Sequence, residues 1–84
     1  MLTKEILISN PQGLHARPAT LLVQKATTFK SEVTLEYNGK SANAKSLIGV
    51  LSLGVNKGNT INLITNGTDE EAAIEEVAKI IENL

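Results

Sequence analysis

Asn38 and Gly39 narrow the possible folds more than any other feature, because they form the strongest hairpin signal in the chain. A type I′ turn needs positive φ at both central residues, and the Asn-Gly pair adopts that conformation readily. Residues 33–37 (VTLEY) alternate apolar and polar side chains, which is the period of a half-buried strand. We therefore expect a return strand near residues 40–43, paired antiparallel with residues 33–37.

Two further segments have the alternating pattern of strands. Leu2, Ile6 and Ile8 share one face of the segment LTKEILIS, and Ile61 and Leu63 share one face of TINLIT. Turn residues separate both segments from their neighbours: NPQG follows the first, and NKGN precedes the second. The chain is therefore expected to have four strands.

Three segments have helical signals. The first is predicted over about residues 16–27, and a short helix is predicted between an N-cap at Ser46 and Gly54. For the terminal helix, Thr68 and Glu71 predict a capping box at the start. The expected buried stripes are Ala19, Leu22, Val23 and Ala26 in the first helix, and Ile74, Val77, Ala78 and Ile81 in the last.

The order βαββαβα predicts an α+β fold, in which helices cover one face of an antiparallel sheet and the other face meets water. At 84 residues the chain has room for a single domain, residues 1–84. Phe29 and Tyr37 are its only aromatic residues, so the core must consist of Leu, Ile, Val and Ala.

Composition excludes several classes of function. Cysteine is absent, which excludes disulfides and thiolate metal sites. The net charge of −1 gives no basic footprint for nucleic acid. No apolar run approaches the roughly 18 residues of a membrane span, and no signal-peptide pattern follows Met1, so we expect a cytoplasmic protein without membrane insertion.

The stretch GLHARPAT places the only histidine, His15, where the first helix is predicted to begin. A helix N-terminus offers unpaired N–H groups that bind phosphate. It also disfavours a protonated imidazole, which leaves a ring nitrogen free to attack. Arg17 adds a planar guanidinium suited to phosphate oxygens, Pro18 fits the first turn, and Gly13 permits a tight loop that leaves His15 exposed. These parts suit a phosphorylated histidine.

A simpler interpretation of His15 stays open on spacing alone. A lone histidine near a helix start is more often a surface or capping residue than a nucleophile. No neighbouring carboxylate supports a hydrolytic triad, so a hydrolase is a weak third possibility. A metal site would need a set of carboxylate ligands that no pattern arranges, and neither a metal nor a cofactor is expected.

Together, GLHARPAT and AKSLIGVLSLG resemble the two motifs of HPr, the histidine-containing phosphocarrier family of the bacterial phosphoenolpyruvate:sugar phosphotransferase system (PTS). The resemblance spans essentially the whole chain and implies an open-faced β-sandwich of four antiparallel strands with three helices on one face. It implies a carrier rather than an enzyme. His15 would accept a phosphoryl group on its δ nitrogen from enzyme I and pass it to sugar-specific IIA proteins, and Arg17 would stabilise that group.

The resemblance also implies that Ser46 is a regulatory serine, modified by HPr kinase/phosphorylase where that enzyme exists, with a catabolite-control transcription factor as a further partner. By residue chemistry alone Ser46 is a helix cap, and the two roles are compatible. The expected partner-binding residues are Thr20, Leu47, Ile48 and Leu51. Many Gram-positive members have methionines where this chain has Ile48 and Leu51, but the apolar character is kept.

Two functions from different classes follow. The first is a monomeric phosphocarrier with small, transient interfaces. The alternative is a regulatory binding module that acts through Ser46 and the short helix without phosphotransfer. A related regulatory branch lacks the active-site histidine, so His15 favours the carrier.

Overall fold

A computed structural model describes residues 1–84 and has the predicted order of elements, βαββαβα. The strands are β1 (Leu2–Leu7), β2 (Glu32–Tyr37), β3 (Lys40–Asn43) and β4 (Thr60–Asn66). The helices are α1 (Ala16–Ala26), α2 (Leu47–Ser52) and α3 (Glu70–Glu82). The predicted α+β class is confirmed.

All strand pairs in the single sheet are antiparallel, and the strand order is β1-β4-β2-β3. The β2–β3 hairpin turns at Asn38 (φ 52°) and Gly39 (φ 79°), so both central residues have the positive φ that a type I′ turn requires. The hairpin predicted from the Asn-Gly pair is therefore confirmed. The long connection from β3 through α2 brings β4 between β1 and β2.

The core lies between one face of this sheet and the three helices. Its 18 buried apolar residues include Ile6, Leu35, Ile61 and Leu63 from the sheet. Helix α3 packs on β1 and β4, α2 packs against β3, and α1 packs against both other helices. On the opposite side of β1, alternate residues such as Leu7 are exposed, as expected for an open-faced sandwich.

The predicted stripes on the helices face this core. Ala19, Leu22 and Ala26 of α1 are fully buried, and Val23 is half-buried. On α3, Val77, Ala78 and Ile81 are buried, Ile74 is half-buried, and Ala73, which was not predicted, is also buried. Packing therefore follows the periodicity of the sequence closely.

The capping box predicted at Thr68 and Glu71 is wrong. The N-cap of α3 is Asp69, and its carboxylate turns away from the helix to accept hydrogen bonds from the Lys30 and Ser31 backbone N–H groups and from the Ser31 hydroxyl. The Ser31 hydroxyl first, and then the Lys30 N–H, lower the pKa of Asp69 to about 2 from 3.8. The acidic side chain therefore ties the start of α3 to the start of β2 instead of capping the helix.

Candidate functional site

His15 immediately precedes α1, where the sequence predicted the helix to begin. Its backbone is extended (φ −120°, ψ 160°), and its side chain makes no capping hydrogen bond to the helix. The sequence predicted that His15 is exposed, and in the structure it is partly exposed. The ring is therefore accessible and is not needed to complete the helix.

The loop before His15 is held against the loop that precedes β4. Leu14 is fully buried, and its N–H donates to the Val55 carbonyl oxygen at 3.0 Å. Gly13 has a φ of 62°, and a Cβ there would lie 2.5 Å from the Val55 oxygen and 2.8 Å from the Asn56 Cα. Only glycine fits this contact, because any side chain would strike backbone atoms as well as adopt an unfavourable φ.

Asn56 is a site residue that the sequence did not reveal. Its Oδ1 lies 2.8 Å from Nε2 of His15, although the two residues are 41 positions apart. Because an amide oxygen can only accept, Nε2 carries the hydrogen and Nδ1 has a free lone pair. The NKGN turn was predicted, but no spacing rule pairs a loop residue with a histidine so far away in sequence.

The start of α1 combines strain with unpaired donors. Ala16 has a φ of 49°, a conformation that costs a non-glycine residue about 1–3 kcal/mol. Buried Leu14 before it and buried Pro18 after it fix the chain on both sides. No loop or cap hydrogen bond uses the N–H groups of Ala16 and Arg17, and the first turn has no acidic residue. This helix end can therefore receive negative charge.

The Arg17 side chain is exposed and takes part in no hydrogen bond or ion pair of the fold. It lines a cleft of about 400 Å³ beside the loop that precedes His15. The other lining residues are Asn10, Pro11, Gln12, Pro18, Leu21, Asn83 and Leu84. The guanidinium therefore has no partner within the fold, and it belongs to the second residue of α1.

Ser46 is the N-cap of α2, as predicted. Its Oγ accepts a hydrogen bond from the Gly49 N–H at 3.1 Å, and the residue is partly buried. Gly54, with a φ of 66°, follows the C-cap residue Leu53 and ends the helix as expected. The serine therefore has a structural role as the cap of α2.

The proposed partner-binding residues lie on the exposed sides of α1 and α2, two helices that pack against each other. Ile48 is 81% exposed, Leu47 is 39% exposed and Leu51 is 38% exposed, whereas Val50 points into the core. Thr20 is exposed on α1, and its hydroxyl donates to the Ala16 carbonyl oxygen. Leu21, which was not among the predicted partner-binding residues, is as exposed as Leu51 and lines the cleft beside Arg17. We call Leu47, Ile48 and Leu51 the α2 patch.

The fold contains neither a metal-binding cluster nor a membrane-spanning helix. No group of three or more His, Asp or Glu residues is placed to hold a metal ion. None of the three helices is long and apolar enough to cross a membrane.

Comparison with known proteins identifies relatives over the full length of the chain. The family model for the PTS HPr component phosphorylation site matches residues 2–83. HPr-C-His from Thermoanaerobacter tengcongensis is 47% identical, with a TM-score of 0.96 over 99% of this chain and 93% of that chain. Phosphocarrier protein HPr from Bacillus anthracis str. Ames is 40% identical, with a TM-score of 0.91 over 95% of each chain.

A regulatory relative also matches. Crh, a catabolite repression protein from Bacillus subtilis solved as a domain-swapped dimer, is 42% identical, with a TM-score of 0.80 over 99% of this chain and 95% of that chain. The same fold therefore occurs in phosphocarriers and in a protein of catabolite repression.

Proposed function

We propose that this chain, which belongs to the HPr family of PTS phosphocarriers, accepts one phosphoryl group on Nδ1 of His15 and passes it to another protein. The observation that carries this proposal is the hydrogen bond from His15 Nε2 to Asn56, because it leaves Nδ1 as the nucleophilic nitrogen. The start of α1 and the free guanidinium of Arg17 would then share the negative charge of the bound group. No second catalytic group is needed for such a carrier.

The proposed donor is enzyme I, and the proposed acceptors are IIA proteins of sugar permeases. Enzyme I and the IIA proteins would each cover the α2 patch when they bind, because its apolar side chains are exposed to solvent next to α1. One surface must serve donor and acceptors in succession, so each interface should be small and short-lived. Arg17 would orient the phosphoryl group during both transfers.

Ser46 is proposed as a second phosphorylation site with a regulatory effect. It opens the helix that carries the α2 patch, and a helix N-terminus tolerates negative charge. A phosphate there would add about −1.5 to −2 charges beside the α2 patch. The proposed modifying enzyme is HPr kinase/phosphorylase, and a catabolite-control transcription factor would be a partner of the modified form.

A second candidate function is a regulatory binding module that uses Ser46 and the α2 patch without phosphotransfer. The 42% identity with Crh favours it. The presence and setting of His15 favour the carrier, since a protein acting through Ser46 alone has no use for a histidine with a free ring nitrogen.

The decisive experiment is incubation with enzyme I and phosphoenolpyruvate, followed by intact mass spectrometry. We expect a mass increase of one phosphoryl group that is lost in acid and stable in base, as a histidine phosphoramidate is. His15→Ala should abolish the increase and keep the wild-type circular dichroism spectrum. Ser46→Ala is the matched control and should retain it. Labelling that survives in His15→Ala would contradict the carrier function.

We further propose that the chain acts as a cytoplasmic monomer. A small interface on α1 and α2 can serve enzyme I and IIA proteins only if no second copy covers it. Light scattering coupled to gel filtration tests this point, and the swapped dimer of Crh is the arrangement that a twofold larger mass would indicate.

A further inference from the structure

We infer that Asn56 is a positioning residue for phosphoryl transfer, which holds the His15 ring with its hydrogen on Nε2 through both transfer steps. The inference rests on the proposed function, because it assigns the transfer to Nδ1 of the same histidine. It adds a residue from a different loop, one that neither motif of the sequence contains.

The geometry of the pair decides the tautomer. Asn56 Oδ1 and His15 Nε2 are 2.8 Å apart, which is hydrogen-bonding distance. A neutral imidazole carries one N–H, so a hydrogen on Nε2 leaves the lone pair on Nδ1. The same bond opposes rotation of the ring, which would exchange the positions of the two nitrogens. Asn56 thus selects which nitrogen can attack phosphorus.

Asn56 itself is held in place. Its backbone N–H donates to Asn59 Oδ1 at 2.8 Å, and its carbonyl oxygen accepts from the Asn59 N–H at 3.1 Å. Asn59 in turn accepts from the Ile8 N–H at 2.8 Å, so the turn is joined to the end of β1. Gly13 also lies against the Asn56 backbone, since a Cβ on the glycine would come within 2.8 Å of the Asn56 Cα. The acceptor therefore belongs to a rigid turn rather than to a mobile loop.

The hydrogen bond from His15 Nε2 to Asn56 Oδ1 becomes stronger while the phosphoryl group is on the ring. In the first step, the Nδ1 lone pair forms the N–P bond while the bond from phosphorus to the donor breaks, and the donor keeps that electron pair. The proton stays on Nε2, so the ring becomes an imidazolium and the bond to Asn56 becomes charge-assisted. In the second step the N–P bond breaks, its electron pair returns to Nδ1 and the ring is neutral again. No proton has to enter or leave.

The test compares Asn56→Leu with Asn56→Asp. Leucine has a similar size but no acceptor, whereas aspartate keeps an oxygen in the same place. Asn66→Leu is the control, because Asn66 is an exposed asparagine at the far end of β4. The tautomer is determined from ¹⁵N and ¹H imidazole spectra at alkaline pH, which are unambiguous because the chain has one histidine. The rate of phosphoryl transfer from enzyme I is measured by rapid quench.

For the wild type and for Asn66→Leu we expect the Nε2–H form alone. Asn56→Leu should show mixed tautomers and transfer about tenfold more slowly, which is the loss expected for one hydrogen bond to a group that becomes charged. Asn56→Asp should restore the single tautomer and most of the rate.

Three results would overturn the inference: an Nδ1–H tautomer in the wild type, an unchanged rate in Asn56→Leu, or an aspartate variant as slow as the leucine variant. If no variant accepts phosphoryl groups but the tautomers behave as expected, the proposed function fails while the role of Asn56 in orienting the ring stands.

Discussion

Ser46→Ala and Ser46→Asp together separate the structural role of this serine from its proposed regulatory role. Alanine removes the oxygen that accepts the Gly49 N–H at 3.1 Å. The six-residue helix α2 has one buried residue, Val50, and a glycine in its interior, so it depends strongly on its cap. We expect Ser46→Ala to destabilise the protein and Ser46→Asp to leave its stability unchanged or slightly higher.

The magnitude follows from the contact that is lost. Replacing a serine N-cap by alanine costs about 1 kcal/mol. In a domain of this size that cost lowers Tm by about 4–8 °C. Aspartate is an equally good cap, and its charge at the helix start contributes about 0.3–1 kcal/mol in favour of folding. The free energies of unfolding of the alanine and aspartate variants should therefore differ by at least about 1 kcal/mol.

Urea unfolding measures the free energies, and amide hydrogen exchange at Gly49 reports on the cap directly. Phosphoryl transfer from enzyme I is then measured for all three proteins at two salt concentrations. We expect Ser46→Ala to transfer at nearly the wild-type rate and Ser46→Asp to transfer much more slowly, with the difference reduced by salt. Equal stability of Ser46→Ala and the wild type would show that the Ser46 cap does not stabilise the fold. Equal transfer by Ser46→Asp and the wild type would refute regulation at this interface.

Three further predictions follow from the site and its supports. Arg17→Lys should slow phosphoryl transfer, measured by rapid quench, while Tm stays within error, because the guanidinium makes no contact that stabilises the fold. Gly13→Ala should lower the free energy of unfolding, measured by urea denaturation, by at least about 2 kcal/mol, since a Cβ would lie 2.5 Å from a backbone oxygen. Gly39→Ala is the matched control, because Gly39 also has a positive φ but has open space around it, and its free energy of unfolding should fall by only about 1 kcal/mol. Because the pKa of Asp69 is lowered from 3.8 to about 2, its carboxylate stabilises the fold above pH 3.8, and this stabilisation is lost as the pH falls toward about 2. In Ser31→Ala the loss of stability over this pH range should be smaller. Acid titration followed by circular dichroism measures the loss in both proteins.

Local sequence signals predicted most of the fold, because the groups that satisfy them are close in sequence. The Asn38-Gly39 turn needs only its own two residues, and Ser46 caps a helix through an N–H three residues later. His15 was placed at the start of α1 by the same kind of reasoning. Where a conformation depends only on residues within a few positions of one another, the sequence is enough to predict it.

Interactions across the fold were missed for the opposite reason. Thr68 and Glu71 have the spacing of a capping box, but the neighbouring Asp69 binds Ser31, 38 residues earlier, and shifts the helix start. Asn56 meets His15 across 41 residues. Leu21 falls outside the buried stripe of α1 and could have been noticed as a leucine on the polar side of that helix. The contacts of Asp69 with Ser31 and of Asn56 with His15 depend on how the elements pack, which sequence spacing does not encode.

The strand order has a consequence for when the site comes into existence during synthesis. Strand β1 lies at the edge of the sheet, and its sole strand partner is β4, which begins 53 positions after Leu7 at Thr60. Asn56 lies just before β4. A nascent chain that has emerged only as far as α2 has no surface against which β1 and the His15 loop can settle. Such long-range pairings also form later and more slowly than local ones. The setting of the histidine is thus a product of the finished domain, and an incomplete chain lacks the Asn56 acceptor beside His15.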